Sequence, residues 1–251
     1  MLLVQGPSRE EAIALYPTAD DSVAVAQLDS ASMRQLPVTL LGRGGAVVTA
    51  LLGAPSGDGT DECERWPLRV MQPDSVTTWA VGFVNVRATP IALDSVDVLS
   101  PRDSMALTAE ASRLASTVSG PTDPAFQGLR FTAQDIRRFT VAPGVQGVVA
   151  HIVRRVNQEA NPREEQTLLI AERDSGVTSG PYQLAYAERD VGREEMVITP
   201  EVLAALRLGT SGPPLIVVAR DNDAGISYRI IERTAARRWR ARWSSGVISC
   251  S

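Results

Sequence analysis

Residues able to carry catalytic chemistry are few in this sequence, and their spacing assembles no known motif. The single histidine, His151, lies in an apolar run typical of a β-strand, whereas a general base needs partners within hydrogen-bond reach. One histidine and two distant cysteines, Cys63 and Cys250, are too few for an ordinary zinc site. There is no nucleophile elbow, phosphate-binding loop or dinucleotide glycine fingerprint. We therefore predict no catalytic residue, no metal and no cofactor, although a carboxylate-based site would leave little sequence trace.

Two short acidic segments, residues 58–62 and 221–225, contain fragments of what a calcium-binding loop uses. Each places side-chain oxygens close together, but neither extends to a complete EF-hand loop. Asn, Asp and Gly are also the residues that tight turns require. We therefore favour solvated turns at both places, with residues 221–225 joining two strands.

The clearest surface feature is a run near the C-terminus that we call the arginine strip. It comprises Arg237, Arg238, Trp239, Arg240, Arg242 and Trp243. On a strand, alternate residues share a face, so the even-numbered arginines are expected opposite the two tryptophans and Ala241. One interpretation is an edge strand whose tryptophans enter the core. The other is a basic surface that docks on phosphate, lipid headgroups or an acidic partner.

Two further arginine pairs, residues 137–138 and 154–155, lie in neighbouring predicted strands. They would extend the basic surface if they were free. Glu164, Glu165 and Glu172 offer the competing account, in which these arginines form ion pairs.

Composition limits the classes of partner. The 251 residues include 25 basic ones, all arginine, and carry a net charge of −4 with a pI near 5.2. This balance argues against a nucleic-acid binder, which usually has a strongly basic face. No apolar run approaches the roughly 20 residues of a membrane-spanning helix, and the N-terminus has no export signal as written. A start site assigned too far downstream would hide such a signal.

Turn signals divide the chain into three predicted helices and many short strands. Helices are predicted over residues 8–15, 100–118 and 199–208, each preceded or opened by a capping Ser or Thr. Strands are predicted over residues 22–28, 38–41, 46–52, 66–72, 76–88, 131–141, 145–159, 165–173, 183–189, 195–198, 214–220, 226–233 and 237–244. The pattern predicts an α+β fold, mainly antiparallel β, arranged as a sandwich or a partly open barrel. We expect an N-terminal β-rich subdomain with a closing helix at 1–120 and a C-terminal antiparallel meander with one short helix at 121–251.

Residues 168–189 and 215–233 repeat one pattern. Each begins with an apolar strand ending in Arg-Asp, turns, and returns through a Tyr to a terminal Glu-Arg. We expect two similar antiparallel hairpins in one sheet. Two copies are fewer than a solenoid or propeller requires.

The C-terminal half resembles a group of uncharacterised bacterial proteins. The similarity extends from Val-Asn-Gln-Glu-Ala-Asn-Pro at residues 156–162 to the closing Trp239, Trp243, Ser245 and Cys250. Those proteins are of a secreted or lipoprotein type, are β-rich and have no assigned activity. The resemblance implies an extracytoplasmic location and an oxidised Cys63–Cys250 pair, but the N-terminus lacks the lipobox cysteine. From spacing alone, the two cysteines are equally compatible with separate reduced thiols.

Two functions follow as hypotheses. The first is a non-enzymatic interaction protein, a membrane-extrinsic accessory subunit of a bacterial respiratory or photosynthetic reaction-centre or antenna assembly. It would be periplasmic and peripheral to the membrane, with a cytoplasmic location as the alternative. Its partners would be protein subunits, with anionic lipid headgroups as a further candidate, and not nucleic acid. The second hypothesis is a ligand-binding or carboxylate-based hydrolytic domain.

Overall fold

The computed structural model describes residues 1–16, 34–54, 65–71, 78–120, 123–156, 162–175 and 180–248. These residues form sixteen strands and one α-helix. The strands are β1 Leu2–Gln5, β2 Glu11–Leu15, β3 Pro37–Leu41, β4 Val47–Leu52, β5 Arg65–Val70, β6 Val81–Val84, β7 Ala88–Pro90, β8 Asp94–Ser95, β9 Thr132–Ala142, β10 Val145–Val156, β11 Arg163–Asp174, β12 Gln183–Arg193, β13 Thr199–Leu208, β14 Pro214–Asn222, β15 Gly225–Ala235 and β16 Arg238–Ser244. The helix is α1, Pro101–Ser116, and two 3₁₀ turns span Val96–Val98 and Pro124–Phe126.

The first six strands close into a small antiparallel barrel in the order β1-β2-β5-β4-β3-β6. Its interior is filled by apolar side chains from alternate positions of each strand, including Leu3, Val48 and Trp66. Leu2 and Val4, on the opposite face of β1, pack against a neighbouring sheet. Both faces of β1 are buried at Leu2, Leu3 and Val4, which explains three consecutive apolar residues there.

The remaining strands form two five-stranded antiparallel sheets. The central sheet has the order β16-β15-β14-β13-β7, and the helix-side sheet has the order β12-β11-β10-β9-β8. The two pack face to face through an apolar layer that includes Phe139, Ile170, Ile216, Val218 and Trp239. The other face of the central sheet packs on the barrel, and α1 covers the other face of the helix-side sheet. The layer order is thus barrel, central sheet, helix-side sheet, helix.

The prediction of a mainly antiparallel β fold is confirmed, and both the barrel and the sandwich are present in one chain. The prediction of about three helices is wrong. Only the helix at 101–116 forms; its N-cap Ser100 Oγ accepts a hydrogen bond from the Asp103 amide at 3.2 Å. Residues 11–15 and 199–208, expected in helices, are strands β2 and β13.

Strand β13 shows why the local helix signal failed. A capping Thr199 and a Pro200 at the first helical position favour a helix by about 1 kcal/mol. As a strand, the segment pairs with β14 and β7 and buries Val202 and Leu206, among others, on both faces. Each fully buried side chain of this size contributes about 1.5–3 kcal/mol, so sheet packing outweighs the cap.

The two repeated hairpins do not share a sheet, contrary to expectation. One is β11–β12 in the helix-side sheet, and the other is β14–β15 in the central sheet that faces it. Strands β7 and β8 precede residue 120, yet they pair with β13 and β9 of the C-terminal half. The proposed boundary between residues 120 and 121 stays a prediction.

Gly147, on β10, lies very close to two side chains inside the sandwich. A Cβ at this position would lie 2.6 Å from Phe139 Cζ and 2.6 Å from Val141 Cγ2. We expect Gly147→Ala to destabilise the fold by about 1–3 kcal/mol through overpacking, more than the roughly 0.4–1 kcal/mol gained from a stiffer unfolded chain. Denaturant unfolding will measure this. Gly246→Ala is the control, since a Cβ there meets no atom within 4 Å, and equal stabilities of the two variants would contradict the prediction.

Candidate interaction surface

The arginine strip lies at one edge of the central sheet. Strand β16 carries all of it except Arg237, which occupies the turn after β15 with a left-handed φ of 56°. Among the described residues, β16 pairs with β15 alone. Arg238, Arg240 and Arg242 are exposed, Trp239 is buried and Trp243 is half-buried. The strip is therefore a solvent-facing edge strand.

The predicted alternation along the strip is wrong at its second half. Trp243 pairs with Ile230 and Ala241 pairs with Ile231, so Arg242 is an extra residue in a β-bulge. The bulge reverses the side on which the following residue lies. Trp239 consequently packs in the layer between the two sheets, whereas Trp243 packs against the barrel-side core. Ala241, expected to be buried beside the tryptophans, is exposed.

Trp239 is held by the buried carboxylate of Glu172. We call Glu172 and its partners Arg233, Arg237 and Trp239 the Glu172 cluster. Glu172 lies on β11 with its side chain only 1% exposed. Its oxygens accept hydrogen bonds from Arg233 Nε and Nη2 at 2.7 and 2.8 Å, from Trp239 Nε1 at 2.6 Å and from the Arg237 amide at 3.0 Å. The Phe139 ring meets Trp239 edge-on, with centroids 6.2 Å apart. The cluster fixes the beginning of the strip to the helix-side sheet.

An ion pair and two neutral hydrogen-bond donors keep the Glu172 carboxylate ionised. Burial by itself raises the pKa of this carboxyl, but the hydrogen bonds from Arg233, the Arg237 amide and Trp239 lower it further than burial raises it. The result is a pKa below the usual value. The same pairing raises the pKa of Arg233, chiefly through its hydrogen bond to Glu172. Glu172 thus binds its partners as an anion, which is the stronger form of these hydrogen bonds.

Positive charge is in excess along the strip. Arg240 and Arg242 share one carboxylate, Glu232, at 3.8 and 3.1 Å. Arg237 pairs with Asp174 at 2.7 Å. The four arginines of the strip therefore meet only two carboxylates among the described residues. Arg240 and Arg242 remain 69% and 55% exposed, so their charge is available to a partner.

Of the other two arginine pairs, the one at 154–155 follows the competing account. Arg154 pairs with Glu165, and Arg155 pairs with Glu164. Arg137 donates to Asp135 at 2.8 Å, whereas Arg138 has only Asp94 at 3.9 Å. Arg137, Arg154 and Arg155 are therefore neutralised by close carboxylates and do not extend the strip. Glu172, also offered as a partner for them, instead binds Arg233.

His151 is a packed polar residue. Its Nε2 lies within hydrogen-bond distance of Gln166 Oε1, and Gln166 Nε2 donates to Glu164. Burial lowers the pKa of the imidazole more than the hydrogen bond to Gln166 raises it. The histidine is thus held neutral at physiological pH within this chain of contacts.

A second carboxylate also joins the two sheets. Glu188 on β12 forms ion pairs with Arg220 at 3.2 Å and with Arg229, and the Tyr186 hydroxyl donates to it. Burial, followed by the interaction with Glu188, raises the pKa of Tyr186, so the phenol keeps its proton. Glu172 and Glu188 therefore fasten the helix-side sheet to the central sheet at two places.

The remaining sequence predictions have simple outcomes. Residues 222–225 form the tight turn of the β14–β15 hairpin, where Asn222 Oδ1 accepts a hydrogen bond from the Ala224 amide. Residues 58–62, Cys63, Cys250 and the strand expected at 22–28 lie outside the described residues. Among the described residues, no three His, Cys, Asp or Glu side chains come together as a metal site would require. No helix in the same part of the chain has the length and apolar character to cross a membrane.

Comparison with protein-family models, curated proteins and solved structures gives no match. The resemblance of the C-terminal half to secreted or lipoprotein-type proteins stays a prediction. Sequence reasoning identified the strip but missed Arg233 and Glu232, the residues that hold and partly neutralise it. The repeated Glu-Arg at 232–233 was the available signal, although its partner lies 61 residues away.

Proposed function

We propose that this protein is a non-enzymatic interaction protein, a membrane-extrinsic accessory subunit that docks on an acidic protein surface through strand β16. Its host would be a larger bacterial membrane complex, such as a respiratory or photosynthetic reaction-centre or antenna assembly. Docking would take place in the periplasm, with the cytoplasm as the alternative compartment. The observation that carries the proposal is an exposed edge strand whose arginines outnumber their carboxylate partners.

Rigidity supports this assignment. Trp239, near the start of the strip, is buried and bonded to Glu172, and three of the four arginines project from a strand rather than from a loop. A fixed arrangement loses less side-chain and backbone freedom on binding. Arginine forks also suit paired contacts with carboxylates. The chain as a whole carries a net charge of −4, so this basic edge would orient the molecule on an acidic partner.

A protein partner fits better than a lipid surface. Headgroup binding by charge alone uses clusters of about four to eight basic residues. The strip has four arginines, and two carboxylates reduce its surplus to two charges. Its outer edge also pairs with no other strand among the described residues, and such an edge offers directional backbone hydrogen bonds that a lipid surface does not need.

Four buried or half-buried glutamates among the described residues have bonding partners that favour a structural role for them over acid–base catalysis. Glu165, Glu172 and Glu188 are each bonded to at least two arginine or amide donors. Glu110 is bonded to Arg113 through both oxygens. A general acid at neutral pH needs a raised pKa, whereas the pKa values of Glu110 and Glu172 are lowered, in the first case chiefly by the hydrogen bond from Arg113.

Charge reversal of the strip provides the test. The wild-type chain, R238E/R240E/R242E and R87E/R130E/R193E would each be expressed in the source cells with an affinity tag. Membranes would be extracted in mild detergent and analysed by native mass spectrometry. The control variant changes three other exposed arginines and has the same net charge as the strip variant. Far-ultraviolet circular dichroism and melting temperature would establish that all three chains fold.

We expect the wild-type and control chains to co-migrate with a membrane complex at fixed stoichiometry, and the strip variant to be released. Migration of all three chains alone at about 27 kDa would overturn the proposal. Equal retention of all three in a complex would exclude the strip as the docking surface. A separate sedimentation assay with anionic vesicles tests the lipid alternative. If no chain forms a protein complex, and the wild type binds the vesicles but the strip variant does not, the partner is a lipid surface rather than a protein.

A further inference from the structure

A polar cleft between α1 and the helix-side sheet has a volume of about 330 Å³. It lies on the face of the molecule that α1 covers, away from the strip on β16. Its lining combines two guanidinium groups with an apolar wall. This size is near the lower end of the roughly 300–1,000 Å³ typical of small-molecule sites.

The first guanidinium is held directly by uncharged partners. Arg173 donates through Nε and Nη2 to Gln146 Oε1 at 2.9 and 2.6 Å, and its guanidinium stacks on the Tyr182 ring at 4.4 Å. The Tyr182 hydroxyl donates to the same amide oxygen at 2.9 Å. These partners are uncharged. They hold the guanidinium in place and leave its positive charge uncompensated by any direct carboxylate contact among the described residues.

The second guanidinium lies two strands away on the same face of the sheet. Arg138 on β9 pairs in register with Val148 on β10, and Gln146 pairs with Arg173 on β11. Paired residues project to the same side of a sheet, so both arginines line the cleft. The nearest carboxylate oxygen to Arg138 is that of Asp94 at 3.9 Å, beyond hydrogen-bond distance.

The acidic residue deep in the cleft is already occupied. Glu110 accepts from Arg113 Nε and Nη2 at 2.9 and 2.7 Å and from the Tyr182 amide at 3.1 Å. Asp103 lies at the rim and accepts from Ser100 Oγ at 2.8 Å. Glu110 also interacts electrostatically with Arg173. The two arginines and two carboxylates that line the cleft therefore favour a ligand with a single negative charge over one of high negative charge.

We propose that this cleft binds a small organic carboxylate with an apolar body. The carboxylate would lie between Arg138 and Arg173, where forked donors match its two oxygens. The apolar body would contact Leu99, Leu107 and Pro181, which line the same cleft. This site goes beyond the docking function proposed above and uses none of its residues.

Titration with hexanoate, hexanamide and inorganic phosphate tests the proposal on the full chain. Binding would be followed by calorimetry and by backbone amide shifts in nuclear magnetic resonance spectra. The variants are Arg138→Gln, the double variant R138Q/R173Q and, as a matched control, Arg137→Gln. Arg137 is the adjacent residue on β9, faces the opposite side and donates to Asp135.

We expect hexanoate to bind the wild type, the R137Q variant and the strip variant R238E/R240E/R242E alike. Hexanamide should bind roughly ten- to a hundredfold more weakly, as should hexanoate to R138Q, because each loses a charged hydrogen bond. No detectable hexanoate binding, or equal affinity of R138Q/R173Q and wild type, would overturn the site. Binding of phosphate in preference to hexanoate would overturn the ligand class. Since R138Q keeps the stacked Arg173, its effect is measurable even if the double variant fails to fold.

Discussion

Glu172→Ala is expected to lower the free energy of unfolding by about 3–5 kcal/mol. The substitution removes the acceptor for Arg233, Trp239 Nε1 and the Arg237 amide at once. Arg233, only 17% exposed, is then left as a buried cation without a partner. For a chain of this size we expect a fall in melting temperature of roughly 2–4 °C per kcal/mol. Denaturant unfolding and calorimetry measure the change.

Two variants separate the buried charge from other effects of substitution. Asp174→Asn removes an exposed partner of Arg237 two residues along the same strand, and we expect a loss of about 0–1 kcal/mol. The double variant E172M/R233M removes both charges and replaces them with apolar groups of similar length. It should be more stable than Glu172→Ala, because no unpaired charge remains. If the double variant is the least stable, the orphaned arginine is not the cause.

The same cluster makes stability depend on pH. Because the pKa of folded Glu172 lies below its usual value of 4.5, its contribution is complete above pH 4.5 and is lost as pH falls through the folded-state value. The stability difference between the wild type and Glu172→Gln should therefore shrink on acidification below that pH. A difference that stays constant down to the acid transition would show that Glu172 does not act as an anion.

Glu165→Ala is expected to cost a similar amount, about 3–5 kcal/mol, on the opposite face of the helix-side sheet. Glu165 is 1% exposed and accepts from Arg154 on β10 and from Arg189 on β12, the latter at 2.7 Å. Arg154 would keep its contacts with the rings of Phe126 and Phe131. Arg189 is only 9% exposed, so it would be the cation left without compensation.

Glu201→Gln provides the comparison for this second prediction. Glu201 also pairs with an arginine, Arg43, but both side chains are about half exposed. We expect a change of about 0–1 kcal/mol there, since water screens an exposed pair. Urea unfolding of the two variants under one set of conditions decides the matter. A loss below about 1 kcal/mol for Glu165→Ala would mean that Arg189 is rehydrated after the substitution.

The two large effects bear differently on the strip. The Glu172 cluster holds Trp239 and the turn at Arg237, so its loss should release the start of β16 and weaken any docking through it. Glu165 contacts no residue of the strip in its described interactions. A comparison of the two alanine variants in the docking experiment therefore separates loss of the strip's geometry from loss of global stability.

Local sequence patterns determined most of the strands and the single helix. Alternating and continuous apolar runs bounded by Gly, Pro and Asn predict strands, and β3, β4 and β9–β16 fall close to the expected positions, apart from β13. The strand expected at 195–198 is wrong, because those residues lie in the connection between β12 and β13. The helix at 101–116 was predicted because Ser100 supplies the cap and Pro101 the first residue. In these segments the local preference and the tertiary environment agree.

Tertiary structure alone decided the features on which the candidate sites depend. Strand β13 replaces a helix because burial between the barrel and the helix-side sheet outweighs its cap. The bulge at Arg242 turns Trp243 toward the barrel. The sequence of β16 alone does not reveal this bulge, because the extra residue is defined only by how β16 pairs with β15. The bond between Glu172 and Arg233 joins residues of two facing sheets. Local sequence sets the conformation of each segment, but the pairing of distant charges depends on how the sheets stack, which is set by the packing of the whole chain.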